Sequence, residues 1–498
     1  MNVNPITRLD YPDPDVIRVE DTYYMVSTTM HFMPGCEILQ SFDLVHWEHV
    51  TYVYETLDHT DAQQLKSGQN IYGQGMWAAS LRYHEGRFYI CFVANDTRKT
   101  YLYTSEKIDG PWKKQLIEGF YHDGSLLFDE DGRSYIVYGN DEIWITELNE
   151  DLTAPKKDGL HRLLVSDHKN PELGYEGSHI QKINGYYYIF LVHSLRDRWM
   201  RTEACFYSDS LEGEFTGGDV LCDDRGYCGQ GVAQGGIVDT PDGKWYAMLF
   251  QDSGAVGRIP ILLPVTWKDH FPIFGQNGHV PEEIEVHSTR PGYIYQPLVG
   301  SDDFCNGLLP RWQFNHDPDP RYYHLDALQG TYTITTREVC TELTQAVNTL
   351  TQRMSYPSCA AEVTVDASAL KEGDVAGLCA LQGCYAAVGI TKHHGKYEVL
   401  MLDKKEDGIL DMTEGTVVES HQMDFRLEAD FCNMKDEARC YYRVNKGDWL
   451  PIGTVHKLYF KLDHFTGCRF GLFCYAAEET GGSACFRDFK YYDVDEIS

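Results

Sequence analysis

Three carboxylates, Asp13, Asp123 and Glu176, stand at equivalent points of a pattern that the first half of the chain repeats. The pattern is plainest in YHDGSLLFDEDGRSYIVYG, from Tyr121 to Gly139: a polar start holding Asp123, a short apolar run, an Asp131-Gly132 turn and a second strand. Asp-Gly between alternating apolar runs is a strong hairpin signal. The same plan starts at Asp13 (DPDVIRVEDTYYMVS), Trp77 (WAASLRYHEGRFYICFV), Glu176 (EGSHIQKINGYYYIFLV) and Gln234 (QGGIVDTPDGKWYAMLFQ). Aligned on Tyr24, Tyr89, Tyr135, Tyr188 and Tyr246, the units begin a fixed step earlier, the first having a turn one residue shorter. The starting positions therefore hold Asp13, Trp77, Asp123, Glu176 and Gln234. One Asp at the start of a strand ordinarily caps a turn. Three carboxylates at one repeat position suit glycosidic bond hydrolysis, in which one protonates the leaving oxygen while another activates water on the opposite face. A third, close by, raises the acid's pKa and keeps it protonated near neutral pH.

The elements that must position these groups are strands. Helical periodicity is nearly absent up to about residue 295, and short β-branched and aromatic runs alternate with Gly, Asp and Asn turns. The repeat spacing is too irregular for a solenoid and suits four-stranded propeller blades, whose starting residues meet at one mouth of the channel. Asn184-Gly185 and Asp242-Gly243 read as hairpin turns, Tyr186-Tyr187-Tyr188 as blade packing, and SFDLVHW, SEKIDGPW and SDSLEGEF as a recurrent outer turn without chemistry. At 498 residues the chain exceeds one core. The rhythm changes in the Pro-bearing link PEEIEVHSTRPGYIYQP, and short strands such as TYTITT, AAEVTVD and KYEVLMLD follow. The expected fold is all-β: a five-bladed β-propeller over residues 1–297, then an antiparallel β-sandwich of concanavalin or jelly-roll type over 298–498.

A formal charge of −32 argues against nucleic acid and anionic membrane surfaces as partners. No apolar run approaches the roughly 18 residues of a membrane span. Fifteen cysteines, with no CxxC pair or zinc-type spacing, read as reduced, mostly buried thiols. MNVNPITRLDYPDPD lacks the apolar region of a leader, and with the free thiols this points to the cytoplasm. Nothing in the sequence speaks to oligomeric state.

Several motifs carry a more specific likeness. Asn4-Pro5-Ile6, Tyr11-Pro12-Asp13-Pro14-Asp15, STTMHFMPG, GQGMWAASLRY, YHDGSLLFDEDGR, YEGSHIQKINGYYYI and AVGRIP resemble glycoside hydrolase family 43, in particular its two-domain β-xylosidases and α-L-arabinofuranosidases. SDDFCNGLLPRWQFNHDPD, from Ser301 to Asp319, is similar to the opening of their C-terminal sandwich. The resemblance implies a five-bladed propeller and an inverting mechanism. It places Asp13 as general base, Asp123 as the carboxylate that tunes the acid and orients substrate, and Glu176 as general acid, although many members read Asp-Pro-Ser where this chain has Asp123-Gly124-Ser125. It further implies that Arg258 holds sugar hydroxyls, that Trp77 and Phe32 wall the sugar pocket, and that HFTG, His464 to Gly467, leans over it. Gln234 stands where many members carry a histidine near a central calcium. Calcium is the candidate metal, held by oxygens in the channel, and the chemistry itself requires no cofactor.

The expected activity is exo-acting release of a terminal or side-chain pentose, α-L-arabinofuranose or β-D-xylose, from arabinoxylan or xylo-oligosaccharide substrates. The rivals are a non-catalytic carbohydrate-binding propeller, an arabinanase-type hydrolase of the same fold, and a fructan or sucrose hydrolase. The last carries Asp-Pro-Asn, Arg-Asp-Pro and Glu-Cys motifs where this chain has Asp13-Pro14-Asp15, His122-Asp123-Gly124 and Glu176-Gly177.

Overall fold

The computed structural model describes residues 2–493. Its amino-terminal part consists of five four-stranded antiparallel sheets, each drawn from one continuous stretch of chain. Their innermost strands, Asp15–Val19, Met76–His84, Ser125–Phe128, Glu176–Ile183 and Val232–Asp239, pack in order around an axis, the fifth against the first. This is a five-bladed propeller.

Because each blade is covered on both faces, successive residues of a strand enter different cores. In Tyr186–Ser194, Tyr187 and Ile189 pack with the third blade, whereas Tyr188 and Phe190 pack with the fifth. The five aligned tyrosines all follow one rule. Tyr24, Tyr89, Tyr135, Tyr188 and Tyr246 each join the apolar cluster shared with the following blade. The hairpins also form where expected: Ile183 pairs with Tyr186 across Asn184-Gly185, both at positive φ (51° and 85°) as a tight primed turn requires.

The first unit is one residue shorter than the others for two reasons. Val19 pairs with Thr22 across a two-residue turn, as Ile183 does with Tyr186. Against the third and fifth units the difference lies in the turn, since Phe128 pairs with Ser134 and Asp239 with Trp245 across five residues; against the second and fourth it lies in the inner strand, where the ladder slips between Trp77 and Ser80 and between Glu176 and His179. These are β-bulges, and the first inner strand has none.

Among the described residues no strand is exchanged between the first and last blades, so side chains and a terminal pairing close the ring. Asn2–Val3 pairs with Glu283–Ile284, and Arg18 forms an ion pair with Asp239. At the axis, Arg82 reaches across the blades. Its guanidinium donates to Asp15 Oδ2 (2.8 Å) in the first, Ser125 Oγ (2.7 Å) and the Leu126 carbonyl (2.8 Å) in the third, and the Ile180 carbonyl (3.2 Å) in the fourth. His179 Nδ1 lies 3.1 Å from the other Asp15 oxygen, and the Leu81 amide donates to Asp15 Oδ2. Gln181 carries the chain of contacts on to Ile237 of the fifth blade.

The carboxyl-terminal part is a sandwich of a nine-stranded and a seven-stranded sheet around a core that includes Phe314, Val363, Leu378, Phe425, Leu472 and Phe486. The nine-stranded sheet ends on a strand of the propeller: Phe32–Met33, from a loop of the first blade, pairs with Gln313–Asn315. Phe32 is thereby buried in the joint between domains, with the Arg469 guanidinium 3.4 Å from its ring centre. Helical structure among the described residues is confined to four short 3-10 turns, and no helix is long and apolar enough to cross a membrane.

Burial pushes the Asp15 carboxyl up, but Arg82, His179 and the Leu81 amide outweigh it and hold it at about 2. A carboxyl lowered on folding stabilises the fold above its unfolded value and loses that contribution as pH falls through about 2. Replacing Arg82 with Met strands a buried carboxylate and should cost about 3–5 kcal/mol of propeller stability at neutral pH. The check is the denaturant midpoint, which should fall.

Candidate active site

Asp13, Trp77, Asp123, Glu176 and Gln234 all line one cavity of about 210 Å³. The backbone explains why they turn inward together. Asp13, Asp123 and Gln234 have positive φ (51°, 49° and 65°), and in the second and fourth blades the following residue does (Ala78 29°, Gly177 66°). Such conformations cost on the order of 1–3 kcal/mol each and persist only where packing enforces them. A Cβ on Gly177 would lie 2.6 Å from the Gln234 side chain, so this blade start admits no larger residue.

Asp13 is buried, with one oxygen accepting from Arg258 Nη1 (2.7 Å) and the other from Thr28 Oγ1 (2.5 Å). Arg258 in turn donates through Nε to Asp252 Oδ1 (3.1 Å), and Arg201 Nε donates to Asp252 Oδ2 (3.0 Å). One buried carboxylate thus clamps two guanidiniums. Asp123 Oδ2 accepts from the Gly177 amide (2.9 Å), linking the third and fourth blades beside Glu176. Glu176 Oε2 accepts from Asn140 Nδ2 (2.9 Å). The cavity's remaining wall comes from the sandwich, through Leu462 and Phe465. The Phe465 ring centre is 3.6 Å from the Arg258 guanidinium carbon and 5.0 Å from the centre of Trp77.

This loop is pinned as a wall. Asp10 accepts the Arg258 amide on one oxygen and the Gly467 amide on the other (2.7 Å each), and the Cys468 amide donates to the Ala255 carbonyl (2.8 Å). Gly467 permits the approach, since a Cβ there would stand 2.0 Å from the Val256 carbonyl oxygen.

The sequence agrees with this geometry along nearly its whole length. Residues 3–272 match the family model described as glycosyl hydrolases family 43, and residues 301–492 match the β-xylosidase C-terminal concanavalin A-like domain. The chain belongs to glycosyl hydrolases family 43. It is similar to a solved bifunctional GH43-CE protein of Bacteroides eggerthii, at 42% identity and a TM-score of 0.92, over 99% of this chain and 64% of that one. It thus spans slightly less than two thirds of that protein. A β-xylosidase of Formosa agariphila is 27% identical over 99% of this chain and 89% of its own. A non-reducing end α-L-arabinofuranosidase of Bacteroides ovatus is 26% identical over 66% of this chain and 63% of its own.

Of the residues expected at the site of this family 43 glycoside hydrolase, Phe32 is not brought there. It lies in the domain joint, because the loop carrying it was drawn into the sandwich sheet. Six others line the cavity unforeseen: His122, Asn140, Leu173, Trp199, Arg201 and Leu462. His122 is adjacent to Asp123 and could have been suspected. Asn140 and Arg201 sit on second and third strands, outside the repeat position that was followed.

His122 alters the electrostatics. Its Nε2 stands 3.5 Å from both Asp123 Oδ2 and Glu176 Oε2. Burial lowers the imidazole pKa, but Asp123, Glu176 and Asp13 more than reverse this and raise it to about 9. Burial pushes Asp123 up to about 6 against His122, helped by the charges of Glu176 and Asp13. Burial also pushes Glu176 up, yet His122, with Arg201 and Arg258, holds it below the usual range. The expectation that Asp123 alone keeps Glu176 protonated omits this imidazole.

The channel residues do not fit calcium. The axial carboxylate, Asp15, is saturated by Arg82, His179 and an amide, and a guanidinium already occupies the axis. Gln234 contributes one unpartnered buried oxygen, Oε1, above a space of about 10 Å³. Calcium takes six to eight oxygens. The Gln234 backbone amide donates instead to Glu203 Oε2 (2.7 Å), a wholly buried carboxyl whose pKa burial raises well above the usual range.

Arg201 Nη1 is buried without a partner at the cavity wall, its guanidinium 5.2 Å from the Trp199 ring centre. A sugar hydroxyl placed beside it would supply the missing acceptor. Replacing Arg201 with Met should cost about 1.5–3 kcal/mol of binding in the transition state, roughly 10–100-fold in kcat/KM. Steady-state kinetics on an aryl pentoside, with a melting curve to confirm folding, reads this out.

Proposed function

We propose that this family 43 hydrolase is an inverting exo-glycosidase that releases a terminal or side-chain pentose, α-L-arabinofuranose or β-D-xylose, from arabinoxylan-derived oligosaccharides. The observation that carries the reading is the meeting of Asp13 and Glu176 in one small cavity, with Asp123 between their blades. The names of the relatives, a β-xylosidase and an α-L-arabinofuranosidase, favour these two sugars.

In the proposed reaction, Asp13 accepts a proton from a water that attacks the anomeric carbon. Arg258 and Thr28 hold one Asp13 oxygen each and orient it. Glu176 donates a proton to the leaving glycosidic oxygen, and Asp123 aligns it through the Gly177 amide. An inverting pair stands about 6.5–9.5 Å apart to admit the water. Trp77 and Phe465 offer ring faces to the sugar's C–H groups, while Arg201 and Arg258 offer donors to its hydroxyls. The Phe465 wall supports exo action, because it closes one side of the cavity with a loop anchored by Asp10. No metal enters any step. Fifteen unbridged thiols support a cytoplasmic location.

Asp13→Ala and Glu176→Ala should each lower kcat/KM by about 10²–10⁴-fold on arabinoxylo-oligosaccharides. The sugars released, followed by chromatography, should be single pentoses, and early NMR should show the inverted anomer. A retained anomer, or internal cleavage of the backbone, would contradict the proposal.

A further inference from the structure

The motif His122-Asp123 contains a group that the family reading leaves without a task. His122 is largely buried between two carboxylates from different blades, equidistant from Asp123 Oδ2 and Glu176 Oε2 at 3.5 Å. Its Nε2 makes no well-formed hydrogen bond to either, although it has no access to water. Each oxygen that faces it already accepts one other donor, Asp123 Oδ2 the Gly177 amide and Glu176 Oε2 the Asn140 side chain. Trp77, 6.5 Å away between ring centres, offers no competing acceptor.

We propose that His122 is a positioning residue that stores a proton between Asp123 and Glu176 and delivers it to Glu176 before bond cleavage. The inference rests on the reading of Glu176 as general acid. The step balances simply. The Nε2–H bond of the imidazolium breaks and an Oε2–H bond forms on Glu176, leaving two neutral groups. Glu176 then passes this proton to the leaving oxygen as the bond to the anomeric carbon breaks. Asp13 takes a proton from the attacking water, and exchange with solvent returns one proton to His122 and removes one from Asp13.

The charges around the imidazole favour this direction once a sugar is bound. Asp123 faces it from its own loop, Glu176 from the fourth blade and Asp13 from the first, and together they hold it protonated to about 9. Against the upward push of burial, His122 first, then Arg201 and Arg258, hold the Glu176 carboxyl below its usual range in the free cavity. A sugar that engages those guanidiniums and displaces water weakens the ion pair, because desolvation disfavours the charged forms of both partners. The proton therefore moves to Glu176 when the leaving oxygen is in place to receive it. An acid that stayed loaded without substrate would need no such partner.

The test compares leaving groups. His122→Asn and His122→Gln should lower kcat/KM at least about tenfold on oligosaccharides and on a methoxyphenyl pentoside, whose leaving groups need the acid. On the dinitrophenyl pentoside, whose leaving group does not, the loss should stay within about threefold. The basic limb of the pH profile should move at least about one unit toward acid. Equal losses on both aryl pentosides with an unmoved limb would reduce His122 to a structural role and overturn the proposal. Glu176→Gln is the control. If it shows no dependence on leaving group, the assignment of the acid fails and the proposal fails with it. If it does and the His122 variants do not, only the proposal falls. A ¹⁵N-histidine titration of the unsubstituted enzyme needs no variant. His122 should stay protonated well past the ordinary imidazole range, and a neutral ring at pH 7 would overturn the proposal.

Discussion

The site depends on one guanidinium. Each blade is drawn from one continuous stretch of chain, so no exchanged strand fixes the ring's diameter. Arg82 holds the innermost strands of the first, third and fourth blades to its own through the Asp15 carboxylate, Ser125 and two carbonyls. Asp13 lies two residues from Asp15, Asp123 two residues from Ser125, and Glu176 opens the strand that carries Ile180. The groups tied at the axis are thus immediate neighbours of the groups that meet in the cavity. Spacing at the mouth is inherited from spacing below it, which is why a cation of the protein's own in that position leaves no task for a metal.

The cavity is also close to balanced in charge, although the chain as a whole is strongly acidic. Asp13, Asp123, Glu176 and Asp252 face Arg258, Arg201 and His122 within a few side-chain lengths. Buried charges persist only when paired and hydrogen-bonded, and here the pairings run through groups that also contact the cavity. Asp10 extends the logic to the sandwich. It accepts the amide of Arg258 and that of Gly467 on its two oxygens, so the residue that orients Asp13 and the loop that carries Phe465 share one anchor. The second domain therefore completes the cavity rather than standing apart from it, as the pairing of Phe32–Met33 with Gln313–Asn315 also requires.

Much of this was legible in the residues because the repeat is strict where packing demands it. The tyrosines used for alignment all enter the core shared with the next blade, and residues a fixed step before them could only converge. Two kinds of information were out of reach. Bulges lengthen a strand without any residue signature, so the shorter turn that sets the first unit apart from the third and fifth was readable, whereas the bulges that lengthen the second and fourth were not. Residues outside the repeated position had no register to betray them. Asn140 and Arg201 reach the cavity from second and third strands, and Phe32, aromatic and close in sequence to the site, was drawn away by hydrogen bonds to a strand nearly three hundred residues later. His122 was quoted in its motif, yet only the distances to two carboxylates reveal what it faces.

The proposed reaction requires a single sugar lying between Asp13 and Glu176. A crystal structure of the Glu176→Gln variant with an arabinoxylo-oligosaccharide tests this most directly. It should show one terminal pentose in the cavity, a water held by Asp13 on one side of its anomeric carbon, and the glycosidic oxygen at position 176 on the other. A sugar chain crossing the cavity with units beyond both carboxylates, or one seated away from them, would contradict it.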